Sequence, residues 1–187
     1  MNILIVGVGG QGSLLASRIM GEFFSAKGLE VSVSEVHGMS QRGGSVVTYV
    51  RAGESIASPL ITPGEADVVI AFEQLEALRW VHYLKKGGIL AVNTQKIFPM
   101  PVITGAMEYP NDILSQLAKF DVKVISMDAL ELANQAGNAK ATNVVMLGAV
   151  SKDIDSNTQA WQDALAKTVP EKFLALNQKA FELGVNG

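Results

Sequence analysis

Only eight residues, His37 to Gly44, separate the second β-rich run of this chain from the third, and that spacing constrains the fold more than any other feature. Val31 to Val36 and Ser45 to Arg51 (SVVTYVR) are both dominated by β-branched residues. A parallel return to a neighbouring strand takes a crossover of roughly a dozen residues or more, so a loop this short permits only an antiparallel neighbour. Upstream, Ile3 to Val6 is a continuous apolar run suited to a strand covered on both faces. The glycines of GVGGQG follow. Leu15, Ala16, Ile19, Met20 and Phe23 then recur at helical spacing, with Ser13, Ser17, Arg18 and Glu22 falling elsewhere and Gly28 as a stop signal. Strand, glycine turn, helix and strand make a βαβ unit. The antiparallel strand comes where a dinucleotide-binding fold places its second helix, so a mixed sheet is expected.

The remaining elements are read in the same way. Gly53-Glu54 predicts a tight turn into a further strand at Ile56 to Ile61, extending the meander. Asp67 to Phe72 (DVVIAF) is a buried strand, and a helix is expected from Gln74 to Leu84. Gly87-Gly88 reads as a turn into a strand at Ile89 to Asn93. Gln95 to Tyr109 is an irregular excursion with a short strand expected at Pro101 to Thr104. A helix over Pro110 to Lys119, a strand over Val122 to Met127, and helices over Ala129 to Ala136 and Thr142 to Val150 complete the alternation. This pattern predicts an α/β fold: a three-layer α/β/α sandwich around a mixed, mainly parallel sheet. One unit over residues 1–187 is expected, with a helical C-terminal segment at 157–187. In that segment Thr168-Val-Pro-Glu171 matches a capping box with proline in the first turn. Phe173, Leu176, Ala180 and Leu183 form a stripe that either packs on the protein's own sheet or docks a partner subunit.

Composition narrows the function. A chain of 187 residues buries roughly 70% of its unfolded surface. The net charge is −3 and the 15 Lys and Arg residues are scattered, so nucleic acid is not an expected partner. There is no cysteine, which excludes disulfides, thiolate catalysis and Cys-ligated zinc or iron–sulfur clusters held by this sequence. Two histidines alone leave a transition metal without its commonest ligands, and no metal site is expected. No basic leader precedes the first strand, and no apolar run approaches the ~20 residues of a membrane span. A cytoplasmic protein without membrane contact is expected.

Ligands of such sheets gather beyond the carboxyl ends of the parallel strands. The residues expected there are the turn Gly7–Gly12, the loop HGMSQRGG, Glu73, Asn93-Thr94-Gln95 and Asp128. The turn offers amide groups and a helix N-terminus to an anion. Gly7, Gly9 and Gly12 fit the G-x-G-x-x-G spacing, and Glu35 is placed for the ribose acid of a dinucleotide site. The same glycines also serve simply to pack helix against sheet or to form an interface. In the loop, Arg42 suits a carboxylate or phosphate and His37 offers an imidazole, whereas a plain solvated hairpin loop explains the same residues. His82 reads as a surface or packing residue. Nucleophile-elbow, Walker and H-E-x-x-H patterns are absent.

Taken together, GVGGQGSLLASRIMGE and EVHGMSQRGGSVVTYVR resemble the gamma-type subunit or domain of the 2-oxoacid:ferredoxin oxidoreductases, the small subunit of the indolepyruvate type most of all. ADVVIAFEQLEALR, GGILAVNTQKIFP and ATNVVMLGAV extend the resemblance over nearly the whole chain. It implies an enzyme complex that oxidatively decarboxylates 2-oxoacids to acyl-CoA and reduces ferredoxin. It further implies that thiamine diphosphate, the iron–sulfur clusters and CoA belong to the complex through a large alpha subunit, with no cofactor bound by this chain. Gly7, Gly9, Gly10, Gln11 and Gly12, with His37, Gly38, Gln41, Arg42, Gly43 and Gly44, are the segments that carry over as candidates for ligand or subunit contact. The rival readings are a free-standing NAD(P)-dependent reductase using the glycine turn and Glu35, and a regulatory module sensing an anionic metabolite through Arg42.

Overall fold

The computed structural model describes residues 1–38 and 43–187. Strand β1 (Asn2–Val8) leads through the glycine turn into α1 (Ser13–Ser25), and the chain returns as β2 (Glu30–His37) and β3 (Ser45–Gly53). A long coil precedes β4 (Ala66–Ala71). Helix α2 (Gln74–Trp80) and a 3₁₀ turn (Val81–Tyr83) lead into β5 (Leu84–Asn93). Short helices α3 (Met100–Ile103) and α4 (Ile113–Leu117) precede β6 (Lys123–Met127). The rest is helical: α5 (Ala129–Ala136), a 3₁₀ turn (Ala139–Ala141), α6 (Thr142–Ile154), α7 (Thr158–Thr168) and α8 (Glu171–Asn186).

The six strands form one sheet in the order β2-β3-β1-β4-β5-β6. β1, β4, β5 and β6 run parallel, while β3 is antiparallel to both β1 and β2. The short loop therefore acts as expected, and it does something further. It folds β3 back into the gap between β1 and β2, so the two ends of the βαβ unit are parallel without being neighbours. Thr48 faces Ile5 on one side and Glu35 on the other.

Both sheet faces are covered, giving the expected three layers. Ile3, Ile5, Val50, Ile70 and Phe72 point into one core with α1 and α5 through α8. Leu4, Val6, Tyr49, Val69 and Val92 point into the other, beneath α2 and α4. In the first core Trp161 is fully buried and stacks on Phe23 with ring centroids 3.7 Å apart, and its indole N–H donates to the Asp155 carbonyl at 3.1 Å. Ser17 lies in this core too, contrary to its expected polar position, because its hydroxyl donates to the Leu14 carbonyl at 3.0 Å.

Other departures have local reasons. The strand expected at Ile56 to Ile61 is coil. Pro59 interrupts its ladder donors, and Pro63 follows just beyond it. The coil is held instead by Arg51, which donates to the Ser58 and Leu60 carbonyls at 2.8 and 3.1 Å. The strand expected at Pro101 to Thr104 is helix α3, begun by Pro99 at its cap with Pro101 in the first turn. Gly87-Gly88 lies inside β5 rather than before it, at a shift in register against β4. The capping box does not form: Thr168 ends α7, its hydroxyl donating back to Ala164, and Pro170 caps α8 without a side-chain bond.

The C-terminal stripe packs on helices rather than on the sheet. Asn177, Ala180, Phe181 and Gly184 are its buried residues, and Phe173 is exposed. The reason is a close crossing of α6 and α8. A Cβ at Gly148 would meet the Phe181 carbonyl oxygen, and one at Gly184 would meet the Val145 carbonyl. Two glycines facing each other's helix allow backbones to touch, and the buried line shifts to follow them. Among the described residues, no helix is long and apolar enough to cross a membrane.

Candidate functional site

The carboxyl ends of β1, β4, β5 and β6 bring the expected groups to one edge, where side-chain amides join them. Gln11 folds back over the glycine turn: its Oε1 accepts from the Val8 N–H at 2.7 Å, and its Nε2 donates to the Phe72 carbonyl at 3.0 Å and to Gln95 Oε1 at 3.3 Å. The buried Asn93 repeats the pattern. Its Nδ2 donates to Phe72 O at 3.0 Å and Gln95 Oε1 at 3.4 Å, while its Oδ1 accepts from the first amide of α5 at 3.1 Å. Buried carbonyls and amides at strand ends are costly if unmatched, and these three amide side chains satisfy them across β1, β4 and β5.

The glycines are required by this seam. A Cβ at Gly7 would lie 2.8 Å from Gln11 Oε1 and 3.2 Å from the Phe72 Cβ. Gly12 has φ +84°, and a Cβ there would lie 2.6 Å from Asn143 Nδ2, which donates to the Gly12 carbonyl at 3.0 Å. Gly9 donates its N–H to the Gly44 carbonyl at 2.9 Å, so the glycine turn and the loop after β2 meet through backbone. Gly10 has φ +101° with open space around it. His37 is exposed at the end of β2, its Nδ1 3.1 Å from the Gly38 carbonyl oxygen. Gly38 also borders open space, and Gly43 has φ +77°. Gln41 and Arg42 lie outside the described residues. His82 is exposed beside Tyr83.

Glu73 and Asp128 act as helix caps. Asp128 accepts from the Glu131 amide. Glu73, only 1% exposed, accepts from the Glu76 amide at 3.0 Å, the Ile97 amide at 3.1 Å and the Tyr109 hydroxyl. Burial first, then the hydrogen bond to Glu73 and its charge, hold the Tyr109 phenol well above the ordinary tyrosine range. Glu76 is also buried. It accepts from Ser45 Oγ at 2.5 Å and Arg79 Nη1 at 2.7 Å. Sequence reading missed Glu76, Tyr109 and Asn143 as members of this edge. Only the E-x-x-E spacing of Glu73 and Glu76, the pattern of a capped helix start, signals any of them. Glu35 reaches the edge but serves the fold, its Oε2 accepting from Ser13 and Thr48 hydroxyls, both at 2.9 Å.

Beyond the seam a cleft of about 210 Å³ opens, with Gly10, Gln11, Gln95, Lys140 and Thr142 on its walls. Ile97, Leu130 and Ala139 complete the lining, so the cleft suits a ligand or partner group of mixed polar and apolar character. Among the described residues, no cluster of His, Asp and Glu could hold a metal ion. What Gln11, Asn93, Gln95 and Glu73 do at this edge is match the hydrogen-bonding groups of strand ends and helix starts.

The family model described as pyruvate ferredoxin/flavodoxin oxidoreductase matches residues 2–187. The chain belongs to this family. A relative in Thermococcus kodakarensis, indolepyruvate oxidoreductase subunit IorB, is 43% identical over 98% of this chain and 94% of its own. The ketoisovalerate oxidoreductase subunit VorA of Methanothermobacter marburgensis is 27% identical over all of this chain but only 36% of its own length. The crystal structure of a keto/oxoacid ferredoxin oxidoreductase gamma subunit from Geobacter sulfurreducens superposes with a TM-score of 0.73, at 26% identity, over 99% of this chain and 96% of that one. The resemblance drawn from the two glycine-bearing segments is thus matched at the level of family and fold. Nothing in these comparisons supports the NAD(P)-dependent reductase, and Glu35, the acid it requires, is engaged by two hydroxyls of the fold.

Proposed function

We propose that this chain is the small subunit of a 2-oxoacid:ferredoxin oxidoreductase of the indolepyruvate type. The observation that carries the reading is the near full-length match to an IorB chain, over 98% of this sequence and 94% of that one. The complex oxidatively decarboxylates an arylpyruvate to its acyl-CoA and passes electrons to ferredoxin in the cytoplasm. Thiamine diphosphate, the iron–sulfur clusters and CoA enter through a large subunit. A cysteine-free sequence supports that division, because clusters need thiolates that this chain does not supply.

In this reading residues 1–187 work as one gamma-type unit. The turn Gly7–Gly12 and the loop from His37 to Gly44, Gln41 and Arg42 included, are its face toward ligand or partner. The backbone bond between Gly9 and Gly44 supports treating the two as one feature. The chain's own contribution is shape and hydrogen-bonding surface at the carboxyl edge.

Co-expression with the large subunit tests this directly. The purified pair is expected to reduce a viologen dye with indolepyruvate and CoA, and each chain alone to be inactive. Full activity from the large subunit by itself would overturn the reading.

A further inference from the structure

The segment between β5 and α4 carries a second feature of this edge. Phe98, Met100, Ile103 and Met107 are 53%, 66%, 65% and 65% exposed, four large apolar residues within ten positions. Isolated exposed apolar residues are ordinary, but several large ones on one short excursion concentrate apolar surface of the kind that marks interaction sites. Phenylalanine and methionine are also residue types enriched at interface cores.

The excursion is held in shape from beneath. Glu73 takes the Ile97 amide at its start and the Tyr109 hydroxyl at its end. The Phe98 ring packs against Tyr109 with centroids 5.3 Å apart, and Met107 closes the α3 turn by donating its N–H to the Pro101 carbonyl at 3.0 Å. A groove of about 290 Å³ runs beneath it against Leu75 and Arg79 of α2. Lys96 and Glu108 supply a charged, exposed rim. An apolar centre with a charged rim on a braced backbone loses little entropy on docking.

We infer that this excursion is the surface through which the chain docks on the large, cofactor-bearing subunit, which offers an apolar recess to Met100 and Ile103. The inference rests on the functional reading above. The VorA relative carries this unit within a chain almost three times as long, whereas the IorB relative is nearly all this unit. What the longer chain buries internally, the separate chain must bury between subunits. The excursion begins at Ile97, which also lines the candidate cleft, so the two features share one edge of the molecule.

The test compares three full-length forms, each co-expressed with the large subunit: wild type, Met100→Lys/Ile103→Asp, and a control, Val33→Lys, altered at an exposed valine of the edge strand β2. Affinity for the large subunit is measured by calorimetry, and thermal unfolding of each isolated chain checks the fold. The docking variant is expected to bind roughly 30-fold more weakly or worse with its unfolding temperature unchanged, and the control to bind like wild type. Wild-type affinity in the docking variant, or lost affinity in the control, overturns the surface while leaving the functional reading intact. Failure of the wild type to bind overturns both. If instead the wild type self-associates and the docking variant is monomeric, the occupant is a second copy and the proposal falls.

Discussion

The two faces of the sheet are finished in different ways. One is covered by five helices, α1 and α5 through α8, packed so closely that α6 and α8 meet at glycines and Trp161 is stacked out of solvent on Phe23. The other is covered by two shorter helices, α2 and α4, and by coil at Ile61. Buried carboxylates brace this second face at its carboxyl end, and the excursion over it leaves apolar side chains in water. The first face is closed by complementary backbones at the α6–α8 crossing. The second is braced by polar contacts beneath exposed methionines and a phenylalanine. The difference places the tightest packing on the first face and the exposed apolar excursion on the second.

The largest break to this contrast is expected at the glycine crossing. Gly184→Val places branched carbons against the Val145 backbone, and the chain is expected to lose about 4 kcal/mol or more in urea unfolding. Retention of wild-type stability would mean that α8 does not close on α6 in this way. On the second face, Glu73→Ala removes a helix cap and the acceptor for two further donors, at an expected cost of about 3 kcal/mol. Hydrogen exchange is expected to accelerate at Ile97 and its neighbours while α6 and α8 keep their protection. Uniform acceleration on both faces would erase the distinction.

A subtler effect comes with alkaline pH. The Tyr109 phenol has a folded-state value above its unfolded one near 10, so its contribution is full below that pH and is lost as pH rises above 10 through the raised value. Unfolding midpoints are therefore expected to fall above pH 10 in the wild type, and to fall less in Tyr109→Phe. The smallest effect belongs to the first face's rim, where Lys27 pairs with Asp155. Lys27 and the Asn157 amide hold the Asp155 carboxyl below the usual aspartate range. That contribution is present above about pH 4 and lost as pH falls through the lowered value. Because the pair is about a third exposed, Lys27→Met is expected to shift the unfolding temperature by no more than about 2 °C at neutral pH.

Much of the fold was legible because it depends on neighbours in sequence. The apolar run at Ile3 to Val6, the helix after the glycines and the antiparallel return after a short loop all follow from local spacing. The coil at Ile56 to Ile61 was misread as a strand because the turn signal at Gly53-Glu54 outweighed Pro59, and α3 because proline reads as a breaker although it suits a first helical turn. The candidate edge was half legible. Strand direction brought Gly7–Gly12, Glu73, Asn93 and Gln95 to one side. Gln11 was marked only as part of a motif, however, and Asn143, Glu76 and Tyr109 were not marked at all. Each acts through a partner that its own segment does not contain.

From its amino acids alone this chain was committed to a glycine turn after a first strand, to an antiparallel third strand and to a surface without thiols, because those follow from bond geometry, loop length and a sequence without cysteine. Tertiary structure alone decided that β3 would lie between β1 and β2, that Asn143 would reach back 131 positions to the Gly12 carbonyl, and that Gly148 and Gly184 would bring two helices into contact. Such pairings depend on which distant groups the collapsed chain brings within hydrogen-bond or van der Waals reach, and short-range sequence patterns carry no record of that distance.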